Sequence, residues 1–324
     1  MGSTPMVAHF FKKSIYLKSL YIKMKFFIIT VDTEGDNLWE YKNGEEVGTK
    51  NAEYLPRFQV LCEKYGFKPV YLTNYEMAMS DTFVAEAKDW LVKGTCEIGV
   101  HLHAWNNPPL YDLSGPYNGN PYLIEYPEEV MRAKFKVIYN LIVERFGVKP
   151  ISHRAGRWAM DNRYFQILEE FGIKVDCSNT PGVDWSINKG VTRGGSDYSK
   201  VTLAPYRINN VFEMPVSVVK THCSQRGSFK HRLKVLLKGE NIWLRPATSS
   251  AHEMCSVLDE LNKRNDVDYV EFMVHSSEMM PGGSPYFKNE NAIDSEFQTM
   301  EQVFKHAKAL GYEGATFVEY LNYQ

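Results

Sequence analysis

The sequence has no long uninterrupted apolar stretch, no Cys-x-x-Cys spacing, no internal repeat, no low-complexity segment and no excess of one charge. Each absence excludes something. A bilayer span needs about 20 apolar residues in a row, so no stable membrane span is expected. Five cysteines, Cys62, Cys96, Cys177, Cys223 and Cys255, are odd in number and widely spaced. They fit neither a disulfide framework nor a cysteine zinc site, and read as reduced thiols of a cytoplasmic protein. Lys and Arg total 37 against 39 Asp and Glu, net −2. The basic residues are scattered, without the stripe that nucleic acid requires. No nucleic-acid partner is expected, and a neutral or mildly charged small substrate fits better.

What is present is an ordinary globular composition, 44% hydrophobic and 23% charged over 324 residues. Aromatics reach 14%, with 20 tyrosines. Sugar rings stack on aromatic faces, and aromatic cores give the same composition, so both readings stand. Residues 1–23 mix Phe10, Phe11, Ile15, Leu17, Leu20 and Ile22 with Lys12, Lys13, Lys18 and Lys23. The lysines break any signal-peptide core. An interfacial helix is one reading; a leader or non-native extension outside the fold is the preferred one. A single domain is then expected over 24–324.

From Met24 onward, short apolar runs alternate with helical patterns. Strands are expected at 26–32, 69–73, 96–101, 151–154, 173–177, 211–219 and 268–275. Helices are expected at 51–65, 82–92, 127–146, 161–171, 247–262 and 299–310. A short segment at 315–318 ends the set. Long polar insertions fall at 104–126 and 178–210. Repeated strand–helix units imply parallel strands covered by helices, and seven or eight strands favour a barrel over an open sheet.

In such barrels reactive residues sit at the carboxyl ends of strands. Asp32 and Glu34 end the first strand two residues apart and so share a face. Two carboxylates there need a cation between them, or else belong to the turn chemistry of Thr33-Glu34-Gly35-Asp36. His101 and His103 end the third strand on one face, as a metal pair would. Arg154 ends the fourth and requires a carboxylate or anion, structural or functional. Gly156 lets backbone approach a ligand. His275 ends a late strand, where a general acid or a lone structural histidine are both admissible. A metal, a carboxylate base, an arginine beside it and a histidine acid together form a hydrolytic site.

The order of these motifs resembles the NodB-homology polysaccharide deacetylases, carbohydrate esterase family four. Thr30-Val31-Asp32-Thr33-Glu34 resembles their first motif and Glu97-Ile98-Gly99-Val100-His101 the opening of their second. Arg154-Ala155-Gly156-Arg157 stands where the third would be. Val183-Asp184-Trp185 resembles the fourth and Val274-His275-Ser276 the fifth. The resemblance spans Lys25 to about Leu321, and its wording is similar to a WalW-like subgroup tied to surface polysaccharide and lipopolysaccharide. It implies an α/β fold, a deformed (β/α)7 barrel, one divalent metal, zinc in most members, and hydrolysis of an N-acetyl or O-acetyl group on a sugar. By resemblance, Asp32 is the base, His101 a metal ligand, Arg154 the residue orienting the base and His275 the acid. Asp184 joins the catalytic set, and Trp105, Gly156, Arg157, Trp158 and Trp185 the substrate contacts. The substrate is an acetylated amino sugar or oligosaccharide.

The chain departs from the family pattern twice. Thr33 replaces the second Asp of the first motif, and Trp105 stands where the second metal histidine belongs. Glu34 and His103 are the nearest substitutes, with Asp36 as a spare, so the expected metal set is Glu34, His101 and His103. These departures also motivate a rival reading, a metal-free, catalytically silent sugar-binding barrel. A hydrolase of a non-sugar amide is a second rival.

Overall fold

Along the first strand, Phe26 and Ile28 enter one apolar cluster while Phe27, Ile29 and Val31 enter another. This alternation, the two-residue period of a strand, gives the fold its two cores. The first cluster fills the inside of a curled sheet; the second lies between that sheet and its helices. The computed structural model describes residues 24–36, 38, 40–41, 45–222 and 228–324. The 1–23 segment and Cys223 lie outside them. The four described cysteines are free thiols.

The first half of the chain runs β1 (Phe26–Thr33), α1 (Leu55–Lys64), β2 (Pro69–Thr73), α2 (Tyr75–Met79), α3 (Asp81–Lys93), β3 (Glu97–Leu102) and α4 (Glu128–Phe146). Then come β4 (Ser152–Ala155), α5 (Asn162–Glu170), β5 (Val175–Asp176), β6 (Tyr206–Ile208) and β7 (Val211–Glu213). An excursion follows: β8 (Val218–Thr221), α6 (Phe229–Lys238) and β9 (Glu240–Trp243). The chain closes with α7 (Ala251–Lys263), β10 (Tyr269–His275), α8 (Glu290–Ala309), β11 (Glu313–Gly314) and α9 (Phe317–Tyr323).

Seven strands pair in parallel in the order β10-β1-β2-β3-β4-β5-β7. β6 adds an antiparallel edge to β7, and β11 pairs with the start of β1. Between β7 and β10 no ladder forms. The irregular chain around Pro215 spans the gap instead: Tyr269 Oη donates to the Pro215 carbonyl at 2.7 Å and the Glu271 amide to Ser217 Oγ at 2.9 Å. This interrupted closure of seven parallel strands is the deformed (β/α)7 barrel expected from the sequence.

Pro215 also explains the main departure in the elements. A strand was expected over 211–219, but proline lacks an N–H for a ladder, and the run splits into β7 and β8. The last helix of the expected set starts earlier, at Glu290, because the Asn289 side chain caps the Ala292 amide at 3.0 Å. The final segment, 315–318, opens the helix α9 under a capping box of Thr316 and Glu319.

The inner face is graded. At the amino ends of the strands it holds Phe26, Ile28, Val70, Val175 and Tyr269. Towards the carboxyl ends it holds Thr30, Asp32, Arg154, Glu271 and His275, all buried. Register brings them together: Asp32 is opposite His275 on β10, and His101 is opposite Arg154 on β4.

Candidate functional site

Arg154 is the largest fully buried side chain. It is also charged at any ordinary pH, so it must be paired. Its Nη1 lies 2.5 Å from Asp32 Oδ1, its Nη2 bonds Glu271 and reaches Thr30 Oγ1 at 3.0 Å, and its Nε donates to the Cys177 carbonyl at 3.1 Å. Burial alone would raise the Asp32 pKa, but Arg154, His101 and His275 outweigh it and hold the carboxyl well below its usual range. Glu271 is pushed up to about 7, chiefly by burial. Asp32 is therefore the ionised partner.

Above this pair, Glu34, His101 and His103 converge. One ligand atom from each lies within 4.8 Å of the other two, and all three side chains are buried. Glu34 Oε2 is 3.2 Å from His103 Nε2 and 3.6 Å from His101 Nε2. His101 Nδ1 lies 3.0 Å from the Arg154 carbonyl. A carbonyl only accepts, so Nδ1 carries a proton and Nε2 is the ring nitrogen turned to the cluster. Burial and the neighbouring His101 push the His103 pKa well down, leaving it neutral, as a metal ligand must be. Burial lowers the His101 pKa, but Asp32 and Glu34 overcome it and raise it; a cation at Nε2 would take the place of that proton. Two imidazoles and a carboxylate form a donor set that would hold a divalent cation with one position open, so the residues fit the metal that the sequence implied.

Glu34 is held by its backbone. Asn51 Nδ2 donates to the Glu34 carbonyl at 2.7 Å, Ser276 Oγ accepts the Glu34 amide at 3.0 Å, and Asn51 Nδ2 also reaches Ser276 Oγ at 2.9 Å. His103 is held by packing. Its ring stacks on Trp105 at 4.4 Å and 21°, and Gly156 lies against it so closely that a Cβ there would meet His103 Cδ2 at 2.4 Å. The close approach Gly156 permits is thus to a histidine of the cluster.

His275 borders both groups, with Nε2 3.6 Å from Asp32 Oδ2 and 4.0 Å from Glu34 Oε1. Its Nδ1 faces Glu278 at 3.6 Å, and its amide donates to Glu278 Oε2 at 2.9 Å. Glu278 is further bonded by Arg245. Burial acts to raise the Glu278 pKa, but Arg245 and His275 overcome it and bring it to about 2.

Asp32, Glu34, His101, His103, Arg154 and His275 thus meet at one end of the barrel. Asp184 Oδ1 accepts the Ser186 amide at 2.9 Å, inside the 178–210 insertion. The spare ligand, Asp36, accepts the Lys50 amide at 2.8 Å and stands outside the cluster.

Arg157 and Trp158 are left-handed, with φ of 56° and 65°. Non-glycine residues adopt this conformation only where surroundings enforce it, and such positions concentrate at functional sites. The turn puts the Trp158 ring over the Arg154 guanidinium at 5.1 Å. The Arg157 guanidinium stacks on Tyr122 at 4.0 Å and bonds the carbonyls of Asn120 and Lys189, tying the two long insertions together. Trp243 of β9 lies 5.8 Å from Trp158 and 6.5 Å from Trp185, completing a half-exposed tryptophan wall. On the other side, a groove of about 1030 Å³ is lined by Trp105, Glu76, Tyr111, Tyr117 and Tyr126.

Sequence reasoning passed over Asn51, Trp243, Arg245, Glu271 and Glu278. Glu271 left a signal, a carboxylate within the apolar run Val270 to Val274 and on the face of His275. Asn51 and Arg245 left none, since only the folded chain brings them to their partners.

No protein family and no curated protein matches the chain. Among solved structures, it is similar to a 4-alpha-glucanotransferase from Thermococcus litoralis at 12% identity and a TM-score of 0.49, covering 92% of this chain but 38% of that one. A polysaccharide deacetylase from Mycobacterium smegmatis aligns at 15% identity and a TM-score of 0.47, over 90% of this chain and 94% of the other. A family 4 acetyl xylan esterase from Clostridium thermocellum, solved with cobalt, aligns at 14% identity and a TM-score of 0.45, over 92% and 91%.

Proposed function

We propose that this protein is a metal-dependent hydrolase that removes acetyl groups from an amino sugar of a surface glycan or its precursor, and that residues 24–324 form its catalytic unit. The observation that carries this reading is the convergence of Glu34, His101 and His103 beside an ionised Asp32, with His275 Nε2 4.0 Å from Glu34 Oε1. Glu34, His101 and His103 would hold a divalent cation, zinc by donor type. Such an ion supplies polarisation of the acyl carbonyl and a lowered pKa for water.

The chain's own residues do the rest. Arg154 occupies Asp32 Oδ1 and leaves Oδ2, the oxygen facing His275, to accept a proton. His275 Nε2 is placed to give a proton to the leaving amine, while Glu278 accepts the His275 backbone amide and faces Nδ1 at 3.6 Å. Trp158 lies over the Arg154 guanidinium that pairs with Asp32. The tryptophan wall and the tyrosine-lined groove offer apolar faces on which sugar rings stack.

The test joins metal analysis to acetate release. Purified protein is expected to carry about one divalent ion per chain and to release acetate from N-acetylated chito-oligosaccharides. Chelation should abolish the release. Asp32→Asn should retain the ion and lose turnover. Protein that takes up no metal on supplementation, yet binds the oligosaccharide, would overturn the reading in favour of a silent sugar-binding barrel.

A further inference from the structure

The helix α6 turns outward the face that a helix ordinarily buries. Phe229, Leu233, Leu236 and Leu237 follow the i, i+4, i+7, i+8 spacing of a single stripe, within an arc of about 100°. All four are exposed, Phe229 at 82% and Leu237 at 73%, while Val235, on another side of the helix, is the one buried residue of the ten. Lys230, Lys234 and Lys238 line one border of the stripe and Arg232 stands at the other. The helix contains no carboxylate. In a chain of net charge −2, this is a local reversal of sign.

We infer that α6 is a docking surface for an anionic lipid bilayer. An apolar stripe flanked by lysines suits an interface in which the apolar side chains enter the acyl boundary while the ammonium groups reach the headgroups. Cations spread along the flank of a helix match an extended sheet of negative charge better than a single counter-ion, and an anionic leaflet provides one. At about 15 Å long, α6 is too short to cross a membrane, and no described helix is long and apolar enough to do so. It lies on the surface.

Its place in the fold gives docking a consequence. α6 joins β8 to β9, whose ladder pairs Thr221 with Glu240 and Val218 with Trp243. Trp243 is thus five residues, about 16 Å of extended chain, from the end of α6, in the wall beside Trp158. A docked α6 holds the candidate site near the lipid, whatever its chemistry.

Flotation of the full chain with unilamellar vesicles tests this. Binding is expected to vesicles with about 30% phosphatidylglycerol, not to pure phosphatidylcholine, and to weaken as salt screens the charges. Lys230→Glu with Lys234→Glu, and separately Leu233→Ser with Leu236→Ser and Leu237→Ser, should each lower the bound fraction at least about tenfold. All these side chains are exposed, so circular dichroism should match the parent. Val92→Ser, at an exposed position on α3, should bind as the parent does. Absence of binding to the anionic vesicles overturns the inference, as does a smaller loss in either α6 variant. So does reversible self-association of the parent that the serine variant abolishes, because the stripe would then face protein.

Discussion

His101 Nδ1 lies 3.0 Å from the carbonyl oxygen of Arg154, so one residue of β4 serves both halves of the site. Its guanidinium fixes the Asp32 carboxylate and its carbonyl fixes the His101 tautomer. The link follows from register, because His101 and Arg154 are direct neighbours across the β3–β4 ladder.

The guanidinium half can be removed. Arg154→Met should leave Asp32 and Glu271 buried without their cation, at a cost of about 3–5 kcal/mol. Urea denaturation measures it. A loss under about 1 kcal/mol would mean that the pair is not dry.

The backbone clamp on Glu34 gives a second prediction. Asn51→Ala removes the amide that bonds the Glu34 carbonyl and Ser276 Oγ. Metal affinity should fall about 10–100-fold, as for other outer-shell partners, and titration calorimetry would show it. Unchanged affinity would show that Glu34 is placed by other means.

Gly156→Ala tests the packing of His103. A Cβ at that position would also lie 2.5 Å from the Leu102 carbonyl, and neither backbone nor the stacked imidazole has room to yield. Metal binding is expected to weaken more than stability does. Parent-like binding would place His103 outside the ligand set.

Glu296 of α8 gives a pH prediction. Both its carboxylate oxygens are buried without a hydrogen-bond partner, and burial, reinforced by Glu278, pushes its pKa up to about 9. The folded state therefore holds a proton that the unfolded chain releases near the ordinary carboxyl value of 4.5. Between those values the folded protein binds more protons, so this group makes stability fall as pH rises. Glu296→Gln should be more stable than the parent near the upper end of that range, by roughly 2 kcal/mol, and closely matched below the lower end. Melting curves across pH decide it, and a constant offset would refute the assignment.

Glu278 runs the opposite way. Its folded pKa, about 2 against an ordinary carboxyl value of 4.5, makes a contribution present above the unfolded value and lost as pH falls through the folded one. Glu278→Gln should flatten the acid limb of the stability curve and reduce acetate release by loosening His275. A variant with parent-like acid melting would remove Glu278 as the ionised partner of Arg245.

The sequence by itself determined the alternation of strands and helices and the carboxyl-end placement of Asp32, His101, Arg154 and His275; Glu34 and His103 came from where the chain departs from a family pattern it resembles, at Thr33 and Trp105. The two-residue period of a strand puts 32 with 34, and 101 with 103, on a common face without reference to the rest of the chain. Tertiary structure alone decided what lies across from them. It gave the gap between β7 and β10 to the chain around Pro215, brought Asn51 to the Glu34 carbonyl, and set Glu278 beside His275. It also placed Trp243 on a ribbon that left no pattern in the chain, because β8 and β9 are four residues each and separated by α6. Local periodicity records which face a side chain takes; which distant residue meets it depends on how far the sheet curls, and that is a property of all the strands together.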